Sequence, residues 1–309
     1  MSQVKTVYLE DYTPPSHHIV HTDLTFEIFD EHTLVINRMQ MQRLDNSATE
    51  LYLHGEELKL LCVKIDDVKA EGQFVCDEQG MTLTCDKETF VLQVVTKIYP
   101  DESTALEGLY RSGTILCTQN EPEGFRHITY FIDRPDNMST FTTTIIAETE
   151  RYPVLLGNGN LVETELYAEG RHMAKWEDPF AKPSYLFALV AGELGVVNDS
   201  FSTMSGREIE LNIYVDRGNE SKCGHAMRSL KNSMKWDEEK YGREYDLDIY
   251  NIVAVDSFNM GAMENKGLNI FNSHYVLADE DSATDQNFMG IESVIAHEYF
   301  HNWTGNRIT

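Results

Sequence analysis

Residues Ile291 to Trp303 read as one helix, and that run carries His297-Glu298-Tyr299-Phe300-His301. Four residues is about one helical turn, so the side chains of His297 and His301 leave the same face. Two neutral imidazoles at that separation can both bind one Zn2+, and Glu298 beside the first is placed to take a proton from a water on the metal. A histidine on an apolar helix is often only a satisfied core group, and that bland reading stands beside the metal one at this point. Both histidines nevertheless share their face with Val294, in a helix too apolar to lie on a solvated surface. Whatever the chain folds into must therefore bury part of this helix.

The rest of the chain is long enough to do so. Its 309 residues are 41% hydrophobic, enough for about two ordinary globular domains. Fifty-one acidic against 25 basic residues give a net charge of −26, which repels phosphate backbones and anionic lipid. No nucleic acid and no membrane partner is expected, whereas a cationic substrate would be welcome. Cys62, Cys76, Cys85, Cys117 and Cys223 are scattered with no Cys-x-x-Cys spacing, as in reduced thiols rather than a disulfide framework or a zinc knuckle. The opening Met1-Ser2-Gln3-Val4-Lys5-Thr6 has no apolar core segment, and apolar runs such as Tyr185 to Ala191 are too short to span a bilayer. A soluble, cytoplasmic protein is expected.

From residue 20 to about 190 short strands alternate with turns. Leu24, Phe26 and Ile28 alternate with polar residues, and Leu34 and Ile36 resume the alternation before Met39 and Met41. Leu58–Ile65, Phe90–Tyr99, Leu109–Thr118, His127–Ile132, Phe141–Ala147 and Tyr185–Val190 continue it, separated by turns such as Gly157-Asn158-Gly159-Asn160. Residues 1–193 are thus expected to be an all-β domain, a sandwich or saddle. One turn in it, Gln119 to Phe125, carries Glu121 and Glu123 around Pro122; by its chemistry alone it is a solvated acidic turn. Strand Glu208–Val215, an amphipathic helix marked by Met227, Leu230, Met234 and Tyr241, and strands Ile249–Val255 and Leu268–Asn272 follow, before a polar loop leads to the histidine helix. Strand and helix now alternate, so residues 194–309 read as the start of an α+β domain.

Gly261-Ala262-Met263-Glu264-Asn265 ends 33 residues before Glu298. Together with Gln119 to Phe125 and His297 to Arg307, it resembles the gluzincin zinc aminopeptidase family in its N-terminal portion, over essentially all 309 residues and in order. The resemblance implies that 194–309 is the first part of a thermolysin-like catalytic domain. It implies that His297 and His301 are metal ligands for one Zn2+ and that Glu298 is the general base. Glu264 resembles the carboxylate that holds the substrate's free α-ammonium, Glu121 its partner from the front domain, and Gln119 and Met260 residues lining the pocket for the first side chain. Substrates would be peptides with a free N-terminus. The residue types suit that task, because an exopeptidase must recognise a chain end, and carboxylates at a fixed distance from the metal can measure it. Taken alone, Glu264 is an ordinary surface glutamate and Gly261 a plain turn glycine; without a Cβ, Gly261 also lets substrate backbone come close, with Ala262 beside it.

The family's third zinc ligand is a glutamate 19 residues after the second histidine, which here would be position 320, and the sequence ends at Thr309. The tyrosine that steadies the oxyanion would also fall beyond it. The chain is therefore expected to be the front piece of a longer protein, inactive alone and a poor binder of zinc. Glu292 does not substitute, since five residues before His297 it stands about 140° around the helix. Apolar surface left beside the histidine helix would be exposed, so either the piece associates with itself or it belongs to a longer polypeptide. Two other readings compete. One is an epoxide hydrolase of the same superfamily, whose pattern has glycine where Ala262 stands; the other is a non-catalytic binding or scaffold member.

Overall fold

In a computed structural model the described residues are 8–309, so the absence of a leader segment in Met1 to Thr6 falls outside them. The front of the chain is built on an eight-stranded sheet. Its order is Asn160–Ala168, Arg171–Lys182, Ser139–Glu148, His17–Ile28, Thr33–Arg43, Thr89–Ile98, Lys59–Ile65 and Val68–Lys69. Every neighbouring pair is antiparallel except His17–Ile28 with Ser139–Glu148, which run parallel. A four-stranded sheet (Val154–Gly157, Leu189–Gly192, Ile115–Gln119, Gly108–Ser112) and a three-stranded one (Glu50–His54, Gly80–Thr84, Phe74–Cys76) complete this part. Phe26, Phe125, Phe131, Phe141 and Phe187 meet in its core, with ring centroids 4.9 to 6.3 Å apart.

The expected alternation holds for Leu24, Phe26 and Ile28, which are all buried. It fails for Leu34 and Ile36. A strand has period two, so even-numbered Leu34 and Ile36 cannot share a face with Met39 and Met41, and the inward face is Val35, Asn37, Met39 and Met41. Asn37 is tolerated there because its amide donates to the Tyr130 carbonyl at 3.2 Å. His127–Ile132 is no strand either: Gly124–His127 is a 3-10 turn, and only Phe131 makes a bridge, to His54. Leu109–Thr118 divides into a hairpin at Gly113. Tyr185–Val190 is a 3-10 turn, Ser184–Leu186, before Leu189–Gly192.

The second part is a five-stranded mixed sheet in the order Gly195–Ser202, Glu208–Val215, Ile249–Val255, Leu268–Asn272 and Ala262–Met263. Helix α1 (Gly224–Tyr241) ends at Gly242 with φ +62°, where the missing Cβ makes a left-handed cap cheap. Helix α2 (Asp285–Phe300) begins six residues before the expected start. Thr284 and Asn287 form a reciprocal cap there, in a loop whose polarity hid the helix. Ile209, Leu211 and Ile213 of the sheet pack with Met227, Leu230 and Met234 of α1 and with Ile291, Ile295 and Tyr299 of α2. Among the described residues no helix is long and apolar enough to cross a membrane.

Asp237 on α1 is 2% exposed, and its Oδ2 has no hydrogen-bond partner. Burial pushes its carboxyl up to about 6. A carboxyl raised above its unfolded value adds stability that is present below the unfolded pKa and lost as pH rises through the folded one. Asp237→Asn should therefore raise the melting temperature at pH 8, by the equivalent of about 1–3 kcal/mol, and leave it unchanged near pH 4. Thermal melts at the two pH values check this.

Candidate active site

The end of α2 carries the histidines, His297 in its last turn and His301 at its C-cap. Nε2 of His297 and Nε2 of His301 converge to 3.1 Å, with ring centroids 4.6 Å apart. Nδ1 of His301 faces the Thr304 carbonyl at 2.9 Å. A carbonyl can only accept, so in the neutral ring Nδ1 holds the proton and Nε2 presents its lone pair. Gly305 makes this contact possible: a Cβ there would stand 2.9 Å from His301 Nδ1. Glu298, next to His297, is 5% exposed, and its Oε2 has no hydrogen-bond partner.

Glu264 is delivered by the short edge strand Ala262–Met263, which pairs antiparallel with Leu268–Asn272. The loop after it is tied down from within. The Asn269 amide reaches the carbonyls of Met263 and Asn265 at 3.3 Å each, and the Tyr250 hydroxyl donates to Asn269. Asn306, just past α2, donates to the Glu264 carbonyl at 2.9 Å. Donor atoms of Glu264, Glu298 and His301 all lie within 4.8 Å of one another. Burial first, then the charges of Glu264 and Glu121, push the Glu298 carboxyl up to about 8. The chemistry of this donor set suits a divalent cation: two imidazole nitrogens on one edge, and carboxylates whose crowding is relieved by positive charge.

Glu121 arrives from the front part, at the end of Ile115–Gln119 and before a cis peptide to Pro122. It is half-buried, and burial followed by the Glu264 charge raises its carboxyl. By itself the turn reads as solvated; in the fold its first glutamate stands near enough to Glu264 to feel its charge, while Glu123 pairs with Arg126. Gln119 is buried, and its amide contacts the Met260 sulfur at 3.1 Å, while Met260 is exposed. The Gly261 carbonyl accepts from the Asn272 N–H at 2.9 Å, a Cβ on Gly261 would lie 3.2 Å from the Tyr275 ring, and Ala262 is buried. Glu292 is exposed. Sequence reasoning missed Tyr185, whose phenol is raised by burial and then by Glu264 and Glu121. It stands inside the 3-10 turn Ser184–Leu186, and no signal in the sequence around it marked it.

Residues 14–186 match the family model described as the Peptidase M1 N-terminal domain, and residues 225–309 match the Peptidase family M1 domain. The chain belongs to the M1 peptidase family. Among M1 relatives, aminopeptidase N of Escherichia coli K12 is 55% identical over 307 residues, covering 99% of this chain and 35% of that protein. Aminopeptidase N of Haemophilus influenzae is 51% identical, again over 99% of this chain and 35% of that protein. The crystal structure of Legionella pneumophila aminopeptidase A in complex with aspartic acid superposes with a TM-score of 0.93 at 34% identity, covering 97% of this chain and 36% of that one. This M1 chain therefore spans about a third of the length of the relatives it matches.

The two parts of the chain are clasped at Asn158. Its amide donates to Leu186 at 3.1 Å and Lys266 at 2.9 Å, and its oxygen accepts from the Ala188 N–H at 2.7 Å, all in buried surroundings. Asn158→Ala should destabilise the chain by about 2–4 kcal/mol, since each buried group left unpaired costs about 1–3 kcal/mol. Urea unfolding measures the loss.

Proposed function

We propose that these residues form the water-activating and amine-gripping half of a zinc-dependent aminopeptidase that releases N-terminal residues from peptides. The observation that carries this reading is the convergence of His297 and His301 at 3.1 Å beside the buried, unpartnered Glu298 carboxylate and Glu264. The M1 membership and the relatives named aminopeptidase support it. They favour it over an epoxide hydrolase or a scaffold.

His297 and His301 would hold the zinc through their Nε2 atoms. Zinc bound there would polarise the scissile carbonyl and ease removal of a proton from water. Glu298, free of other hydrogen bonds, takes that proton and returns it to the leaving nitrogen. Glu264 and Glu121 hold the α-ammonium, a cation that two neighbouring carboxylates favour electrostatically. Gln119 and Met260 line the space for the first side chain, and Gly261 and Ala262 flank the substrate backbone. Two imidazoles are fewer than the three protein ligands of an ordinary catalytic zinc, so residues 1–309 alone should bind zinc weakly.

The full-length polypeptide is expected to carry one zinc and to hydrolyse alanyl p-nitroanilide but not its N-acetyl derivative; a metal-free protein, or equal turnover of both, would overturn the reading. Glu298→Ala should keep the zinc while lowering kcat by about 10³-fold or more, as metal analysis beside steady-state kinetics would show. Glu264→Ala should raise KM and lower kcat for free-amine substrates in the same assay.

A further inference from the structure

Four polar side chains from three separate stretches close a knot beside Glu264. Lys266, two residues after Glu264, is 1% exposed. Its ammonium donates to Asn302 Oδ1 at 2.7 Å and to Asp246 Oδ1. Asn302 in turn donates to the same Asp246 oxygen at 3.3 Å. Arg307 pairs with the other Asp246 oxygen and lies 3.8 Å from the centre of the Phe180 ring.

The placement of these residues in the chain is what matters. Asn302 directly follows His301, and Lys266 belongs to the same short loop as Glu264. The Lys266–Asn302 bond thus joins the loop bearing one carboxylate to the end of the helix bearing both imidazoles. Asp246, from the segment between α1 and Ile249–Val255, accepts from both ends of that link, and from Arg307 beyond the helix. The backbone is pinned in parallel, by Asn306 on the Glu264 carbonyl and Asn158 on the Lys266 carbonyl.

A buried ammonium is an expensive way to fill space. Desolvation costs several kcal/mol per ion, and an apolar side chain of equal volume often stabilises a fold as well or better. What a hydrogen-bonded ion provides instead is direction, since its bonds are satisfied in one arrangement only. We infer that Lys266 is a positioning residue, which sets where the Glu264 carboxylate stands relative to the His297–His301 edge and thereby how tightly an α-ammonium is gripped. This inference rests on the aminopeptidase reading above. It adds a residue that touches neither metal nor substrate and acts through Glu264.

The test uses the zinc-loaded full-length protein and two ligands measured by titration calorimetry. L-Leucine carries the α-ammonium; acetohydroxamate is directed to the metal and has none. In Lys266→Met the dissociation constant for leucine is expected to rise at least tenfold, while that for acetohydroxamate stays within twofold and metal analysis still finds one zinc per chain. Asn302→Ala, which cuts the same link without removing a charge, should shift leucine in the same direction by a smaller factor. If Lys266→Met does not fold, Asn302→Ala decides by the same criterion. Loss of zinc, or equal weakening of both ligands, would make the knot a general strut and overturn the inference; unchanged binding of both ligands would overturn it too. Failure of the unsubstituted protein to bind zinc and leucine would instead sink the aminopeptidase reading, and the positioning role with it.

Discussion

Three carboxylates from distant parts of the chain are held against one another at the end of a helix. Glu298 comes from α2, Glu264 from an edge strand and Glu121 from the front part, and the raised carboxyls of Glu298 and Glu121 each register the charge of Glu264. Like charges about 4 Å apart repel by roughly 4 kcal/mol at the effective dielectric near a protein surface. Amides hold them alongside apolar packing and the Lys266 link: Asn306 and Asn269 on the Glu264 loop, Asn158 across the two parts, and Asn120, which reaches the Phe187 carbonyl at 2.7 Å next to Glu121. An amide is neutral, keeps its bonds across the pH range and adds no charge to an already crowded pocket.

How far the sequence alone could be read follows from the range of the forces involved. The two helices of the second part, its strands and several front strands declare themselves through hydrophobic period, a local property. Leu34 and Ile36 misled because apolar side chains occur on both faces of that strand, and the choice of face is made by partners far away, including Tyr130, which accepts from Asn37. His127–Ile132 has the composition of a strand, but it leaves a 3-10 turn that buries Phe125, and Phe131 joins the same aromatic core from a single bridge to His54. The beginning of α2 lay in residues too polar to look helical until the pairing of Thr284 with Asn287 is seen.

The site divides in the same way. His297, Glu298 and His301 are legible because one helical turn fixes their spacing without help from the rest of the chain. Glu264 and Glu121 are not, and only the resemblance of their surrounding motifs singled them out, since an isolated glutamate carries no sign of what will face it. Lys266 and Asp246 left no trace, and Asn302 appeared only as part of the His297 to Arg307 motif, with no role attached. A buried ion pair is written by tertiary contact, and lysine, asparagine and aspartate are common on any acidic surface.

The capping position of His301 has a consequence of its own. Helix α2 stops at Phe300, and its last carbonyls are answered by the amides that follow, His301 on His297, Asn302 on Tyr299 and Thr304 on Phe300, so the helix end is closed where the imidazoles project. The aligned peptide dipoles leave roughly half a negative elementary charge at such an end. A positive species at the two rings would thus meet the partial charge of the last turn as well as the acids around it, a contribution written in backbone rather than in side chains.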